Sequence, residues 1–292
     1  MIPPLFFSRS LRAAFVICLL PLSWAGAAEP IQIVFQNGRG VAVSAVALQG
    51  GKLVITAPAD GFTVGQSFAP ETADHVYGEK PAELNQGVAL LLLGQPKEAL
   101  KLLEPIVGGQ RVTAKIPGNF WMEAAQAALV AYALEGNSPK LNEIGKEISD
   151  ATPAQGIDPF VSLGKALTLP LSAGTAERET AFRDLTTDNL PAAICAYAAF
   201  YRAELLLNVK RSAELPAAQK QDMETLDAYL TVPCLFPSGG KILNAASELA
   251  ASRFLTTPSR REERLALLNS ALRRAPGTAI ATEANKRLES TK

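Results

Sequence analysis

PAELNQGVALLLLGQPKEALKLLEPIV, Pro81 to Val107, is the stretch whose reading decides the fold. Leu84, Val88 and Leu91/Leu92 recur at three- and four-residue spacings, which places apolar side chains on one helical face. Gly94-Gln95-Pro96 then breaks the pattern. Glycine accepts the left-handed conformation that follows a last helical residue, and proline fits the first turn of a new helix. Beyond it, Ala99, Leu103 and Ile106 form a second stripe. The spacing predicts two helices, Ala82 to Leu93 and Lys97 to about Val107, joined by a tight turn. Two short helices cannot bury both stripes against each other, so a further helical layer must cover them.

Gly87, Leu90, Gly94, Ala99, Leu103 and Ile106 also carry a resemblance. In kind and spacing they resemble the tetratricopeptide repeat, a helix–turn–helix of about 34 residues. Its small residues stand where the two helices cross closely. Tyr132, the Gly136 turn, Leu141 and Pro153 fit a second, degenerate unit, with Gly145 where the repeat prefers a large apolar residue. The resemblance implies an α-solenoid that binds peptides, helices or partner domains on its face. An ordinary helical hairpin in a bundle is the alternative.

Upstream the period changes. IQIVF, VAVSAVAL, KLVITA and FTVGQSF are short and β-branched, separated by turn chemistry at Asn37-Gly38, Gly50-Gly51 and Asp60-Gly61. They predict a four-stranded meander, too small to be robust alone. It should curl into an SH3- or Sm-like barrel or pack on the first helices. Ala69 to Lys80 reads as a linker, with His75, the sole histidine, solvated in it.

Residues 1–28 read as a secretory signal peptide. Arg9 and Arg12 are its positive region, Leu11 to Trp24 its apolar core, and Ala25-Gly26-Ala27 its cleavage spacing. The organisation expected is therefore a signal peptide (1–28), a small β domain (29–72) and a helical repeat domain (73–292). The mature chain is expected to be exported and periplasmic, with no membrane span. That order of parts resembles bacterial envelope proteins with tetratricopeptide repeats, which implies envelope proteins as partners.

Downstream, Gly108 to Gly118 reads as an insertion on one face of the array. Asn119 is expected to cap a helix running from Phe120 to Leu134. Ser138 is expected to cap the next helix, Asp158-Pro159 to open a fifth, and Ser259 to Glu262 to form a capping box. Further helices are expected at 175–187, 190–209, 215–230 and 241–255, with a terminal capping helix from Thr278 to Leu288.

Composition narrows function. Lysine plus arginine and aspartate plus glutamate each number 28, giving zero formal charge. That argues against nucleic acid as a main partner. Arg253, Arg260, Arg261, Arg264, Arg273 and Arg274 are interleaved with Glu262, Glu263 and Glu283, which reads as a solvated face. No spacing suits a metal or cofactor. Once a leader is removed, Cys195 and Cys234 are left, and they could pair in an oxidising compartment. Glu143/Glu147 is flanked by lysines that suit surface ion pairs. No serine sits in a nucleophile elbow, and Cys195 has no adjacent base. The first functional expectation is thus a non-catalytic interaction scaffold. The second is a soluble binder of a small ligand or glycan, between the β unit and the array. Arg111, Lys115, Phe120 and Trp121 are the candidate interaction surface in either case, and an enzyme is the least favoured reading.

Overall fold

The computed structural model describes residues 30–152, 158–169, 175–187, 189–208 and 215–291. Residues 1–28, expected as a signal peptide, lie outside the described residues, as does Pro153.

The N-terminal unit has six strands where four were expected. They are β1 (Gln32–Phe35), β2 (Gly40–Ala42), β3 (Val46–Gln49), β4 (Lys52–Ile55), β5 (Ser67–Phe68) and β6 (Ala73–Tyr77). They form two antiparallel three-stranded sheets, ordered β2-β1-β6 and β3-β4-β5. Ile33 opposes Val41 on one side and Val76 on the other. Of FTVGQSF only Ser67–Phe68 is strand, and Phe62 forms an isolated bridge with Ala59. The expected linker is partly strand β6, and His75 lies in it with Nδ1 2.8 Å from Asp74 Oδ2. A register shift between Val34 and Phe35 explains why β6 escaped notice. It puts both Ala73 and Val76 inward, three residues apart, so the two-residue alternation of a regular strand is lost. A boundary after residue 72 would cut this sheet.

The β core joins Ile33, Phe35, Val41, Leu53, Ile55 and Val76, with Phe62 and Phe68 packed on Phe35. Ile116, from the connection 111–118, inserts into the same core and is 1% exposed. The Val76 amide donates to the Pro117 carbonyl at 2.9 Å. The segment expected as an insertion is thus the anchor of the β unit.

Eleven helices follow among the described residues: α1 (Ala82–Leu92), α2 (Pro96–Gln110), α3 (Trp121–Leu134), α4 (Ser138–Ala151), α5 (Pro159–Thr168), α6 (Thr175–Asp184), α7 (Ala192–Leu207), α8 (Leu215–Leu235), α9 (Lys241–Ala251), α10 (Arg261–Arg274) and α11 (Ala279–Glu289). The α1–α2 hairpin matches its expectation. Gly94 has φ +75° at the turn, and a Cβ on Gly87 would stand 2.8 Å from Leu103 Cδ2. Asn119 Oδ1 accepts from the Met122 amide at 2.9 Å, and Asp158 Oδ1 from the Phe160 amide at 2.8 Å, as expected of caps. Asn137, not Ser138, caps α4, because Ser138 is already helical. No capping box forms at α10, whose first turn follows a 3-10 turn, Pro258–Arg260. Helix α8 runs through Pro233, so Cys234 ends a helix rather than lying in a loop.

The helices close on themselves. Helices α1, α3, α5, α7 and α9 each pack on the next, and α9 packs back on α1. Helices α2, α4, α6 and α8 lie between successive members of that set, while α10 packs on α9 and α11. Burial follows the same division. WMEAAQAALVAYAL in α3 and KILNAASELAA in α9 are buried around most of their circumference, whereas α2 and α4 bury one stripe. A helix apolar all round belongs inside, and an amphipathic one outside. The last helix, expected to cap a free end, packs instead on both α1 and α9. The Ala279 amide donates to Gln86 Oε1 at 2.8 Å across 193 residues of sequence.

Candidate functional site

The four residues singled out from sequence do not form one surface. Trp121 is 1% exposed and belongs to the helical core, because it begins an inner helix. Phe120 is half-buried beside it, and Lys115 is exposed on the anchoring connection. Arg111 turns the other way and pairs with Glu147 at 2.7 Å.

Arg111 borders a hollow of about 310 Å³ on the outer side of α2, α3 and α4. Charges there are mutually satisfied. The Tyr132 hydroxyl donates to Glu104 at 2.7 Å, and Lys140 pairs with Glu143 at 2.9 Å. Burial, with the Glu104 bond and charge, pushes the Tyr132 hydroxyl well above the usual tyrosine range. The ion pair raises Lys140 and lowers Glu143, as mutual stabilisation requires. A hollow whose ionic groups already pair offers little to a ligand.

Cys195 and Cys234 are not joined. The Cys195 sulfur faces the Thr187 and Leu190 carbonyls at 3.6 and 3.7 Å, on the turn before its own helix. Cys234 is exposed at the end of α8. The pairing left open by the sequence is absent from the structure.

A larger cavity, about 720 Å³, opens at one end of the ring. The first two turns of α1, α3, α7 and α9 border it. The end of α10 completes the rim with Arg273, Arg274 and then Pro276. The expected pocket beside Phe120, Trp121 and 108–118 is therefore displaced to the ring mouth, where Asn119 and Met122 border it.

Local sequence makes this mouth. Gly239 is buried where the chain enters α9, and a Cβ there would meet Ala196 Cβ and lie 2.8 Å from the Ala192 carbonyl oxygen. Only glycine lets the start of α9 approach α7 so closely. Gly240 then takes φ +137° and places no side chain over the first turn of α9. Pro81 and Pro191 precede α1 and α7, again with no side-chain cap.

Tyr197 is the most enclosed polar side chain of the wall, 7% exposed. Its ring meets Phe160 edge-on at 5.8 Å and stacks over Tyr201 at 6.4 Å. Among the described residues its hydroxyl has no hydrogen-bond partner, and its side chain lines the cavity. Burial, reinforced by the Glu123 charge, pushes its pKa far above ordinary, so it stays a neutral donor. Asn85 and Gln126, half-buried on α1 and α3, likewise present amides with no partner among the described residues. Lys80 pairs with Glu123 at 2.6 Å. Arg274 pairs with the buried Glu248 at 3.2 Å. Lys241 and Arg273 are exposed and unpaired among the described residues.

Such a wall can hold a polar group by several hydrogen bonds and can stabilise negative charge. Its sole carboxylate, Glu123, is tied to Lys80. No cluster of three His, Cys, Asp or Glu suited to a metal occurs among the described residues, and no helix among them is long and apolar enough to cross a membrane.

No protein-family model, curated protein or solved structure matches the chain.

Sequence reading missed Asn85, Gln126, Tyr197 and Lys241, and took Arg273 and Arg274 for a solvated face. Each looks ordinary in its own helix. Lys80 and Pro276 border the same cavity from opposite ends of the helical region, and only closure brings them together.

Proposed function

We propose that the chain is a non-catalytic binding protein whose site is the mouth of the helical ring, occupied by a small polar ligand of about sugar size. The observation that carries this reading is the convergence of Tyr197, Asn85 and Gln126 on one cavity, each without a partner among the described residues. Ligand pockets commonly measure about 300–1,000 Å³ and use a few placed polar groups for orientation. Polar groups that make no bond within the protein are free to orient a ligand by direct hydrogen bonds.

A second reading is the scaffold implied by the tetratricopeptide resemblance, with an envelope protein as partner. Leu48, Val64 and Tyr77, each more than half exposed on the β unit, favour it. Apolar side chains so placed suit contact with another protein. Under both readings the protein is exported and acts in the periplasm, supported by the character of residues 1–28.

The test is native purification of the protein from its expression host, washing, denaturation and mass spectrometry of released small molecules. A compound retained by the wild type and lost from Tyr197→Phe combined with Gln126→Ala supports the reading. Retention of no small molecule, together with stable capture of a protein by the β unit's exposed apolar residues, replaces it with the scaffold.

A further inference from the structure

We infer that the ligand of this mouth is an anion, a small hydroxylated molecule bearing a phosphate or carboxylate, whose charged group sits at the first turn of α9 beside Lys241 and Arg273. The inference rests on the ligand-binding reading above and adds the chemical class.

The charges around the cavity are unequal. Lys80, Lys241, Arg273 and Arg274 border it, against Glu123 alone. Lys80 is neutralised by Glu123 at 2.6 Å, and Arg274 by Glu248 at 3.2 Å. That leaves Lys241 and Arg273, two exposed cations with no ion pair among the described residues, although the Arg273 charge also acts on Glu248 at longer range. Both border the same cavity as Gly239, Gly240, Ile242 and Leu243, and α10, which carries Arg273, packs on α9.

The backbone adds to them. The Asn244 amide makes the first intrahelical bond of α9, to the Gly240 carbonyl at 3.0 Å. The amides of Lys241, Ile242 and Leu243 precede it, and no side chain caps them. Orphan first-turn amides and the positive end of the helix dipole favour an oxyanion. Helices α1 and α7 also begin without a side-chain cap, and their first two turns border this space.

An independent feature points the same way. Tyr197 lines this cavity, 7% exposed, its hydroxyl has no acceptor among the described residues, and burial keeps its proton on. A donor held protonated beside unpaired cations asks for an acceptor, and a negatively charged one satisfies both. Asn85 and Gln126, on α1 and α3, can both donate and accept, which suits hydroxyl groups on the body of the ligand.

The test uses the full chain and four probes: glucose, glucose 6-phosphate, glucuronate and inorganic phosphate, by titration calorimetry and by amide shifts of Ile242 and Leu243. At least one of the two charged sugars should bind tenfold or more tightly than glucose. Its affinity should fall as salt rises. Lys241→Gln and Arg273→Gln should each weaken it about tenfold and leave the thermal midpoint unchanged, since both side chains are exposed. Preference for glucose 6-phosphate or for glucuronate assigns the group as phosphate or carboxylate. Glucose binding as tightly as its charged relatives overturns the inference and leaves the binding reading intact. So does charged-sugar binding that neither glutamine variant weakens. Failure of all four probes to bind or shift the α9 amides overturns the inference, while retained-ligand mass spectrometry still decides the broader reading.

Discussion

Replacing Gly239 by alanine tests the closest approach in the ring. A Cβ at this position would meet Ala196 Cβ and stand 2.8 Å from the Ala192 carbonyl oxygen. Ordinary contact begins near 3.4 Å, so the carbonyl overlap alone is about 0.6 Å. Neither neighbour can rotate away, since one is backbone and the other a Cβ on α7. The start of α9 must therefore move off α7. Overpacking of this kind costs about 1–3 kcal/mol. For a chain of this size each kcal/mol shifts the thermal midpoint by roughly 2–4 °C. Gly239→Ala should thus lower the midpoint by roughly 2–12 °C, measured by circular dichroism at 222 nm. Gly108→Ala is the control. It lies inside α2 with no atom within 4 Å of its built Cβ, so relief of glycine's backbone entropy should raise stability by about 0.5–1 kcal/mol. A Gly239→Ala protein as stable as the wild type, or equal losses in both variants, would show that the α7–α9 approach is not what requires glycine.

Three further outcomes follow from the same contacts. Gln86→Ala removes the acceptor for the Ala279 amide and should cost about 1 kcal/mol; faster amide exchange across α11 checks it, and unchanged exchange there would argue that α11 does not hold the ring closed. Burial holds the Glu248 carboxyl above its usual value, against the opposing pull of Ser270 and Arg274. The native state therefore binds that proton more tightly than the unfolded chain, and stability should fall as pH rises from about 4.3 through the raised value; urea midpoints in Glu248→Gln should lose that slope, and an identical slope contradicts the assignment. Ile116→Ala should open a cavity costing about 2–5 kcal/mol and strip exchange protection from the β unit first; equal loss of protection in α7 and α9 would mean that the two cores are one.

The α1–α2 hairpin was legible because each helix has one apolar stripe and Gly94 breaks the chain between them. The inner helices were harder. In α3 and α9 nearly every side chain is apolar or small, so periodicity picks out one stripe while the structure buries most of the circumference. A pattern that marks one face cannot reveal a helix enclosed on all sides, and an array with free ends was the natural extrapolation. Strand β6 was hidden for a different reason. Its bulge-shifted partner breaks the two-residue alternation, and Asp74 and His75 then look like loop. The mouth was not legible at all. Lys241 reads as a solvated lysine and Gln126 as an outward amide, because the cavity exists only after α9 has returned to α1.

Closure also explains the chemistry of that mouth, since it brings the first turns of α1, α3, α7 and α9 around one space. Four positive helix ends around one cavity repel one another, and side chains such as aspartate or serine would ordinarily relieve this. The chain instead has Pro81, Pro191 and Gly240 before α1, α7 and α9, none of which can cap. If folding alone had shaped Pro81 and Pro191, a cap at each would add about 1 kcal/mol; Gly240, at φ +137°, admits no capping side chain without strain. Their absence is understandable when an incoming anion does the capping. Pro191→Asp separates the two demands. Pro191 holds φ −55° and ψ 138°, which aspartate adopts without strain, and its side chain can accept from the Ala193 or Ile194 amide. The variant should gain about 0.5–2 kcal/mol in stability and bind glucose 6-phosphate or glucuronate several-fold more weakly, because it sets a fixed negative charge at the cavity wall beside Ala193. Denaturant melts and calorimetry on the same preparation read both effects. A stabilised protein with undiminished affinity for those anions would show that the α7 terminus contributes nothing to their binding, and the uncapped helix starts would then need another explanation.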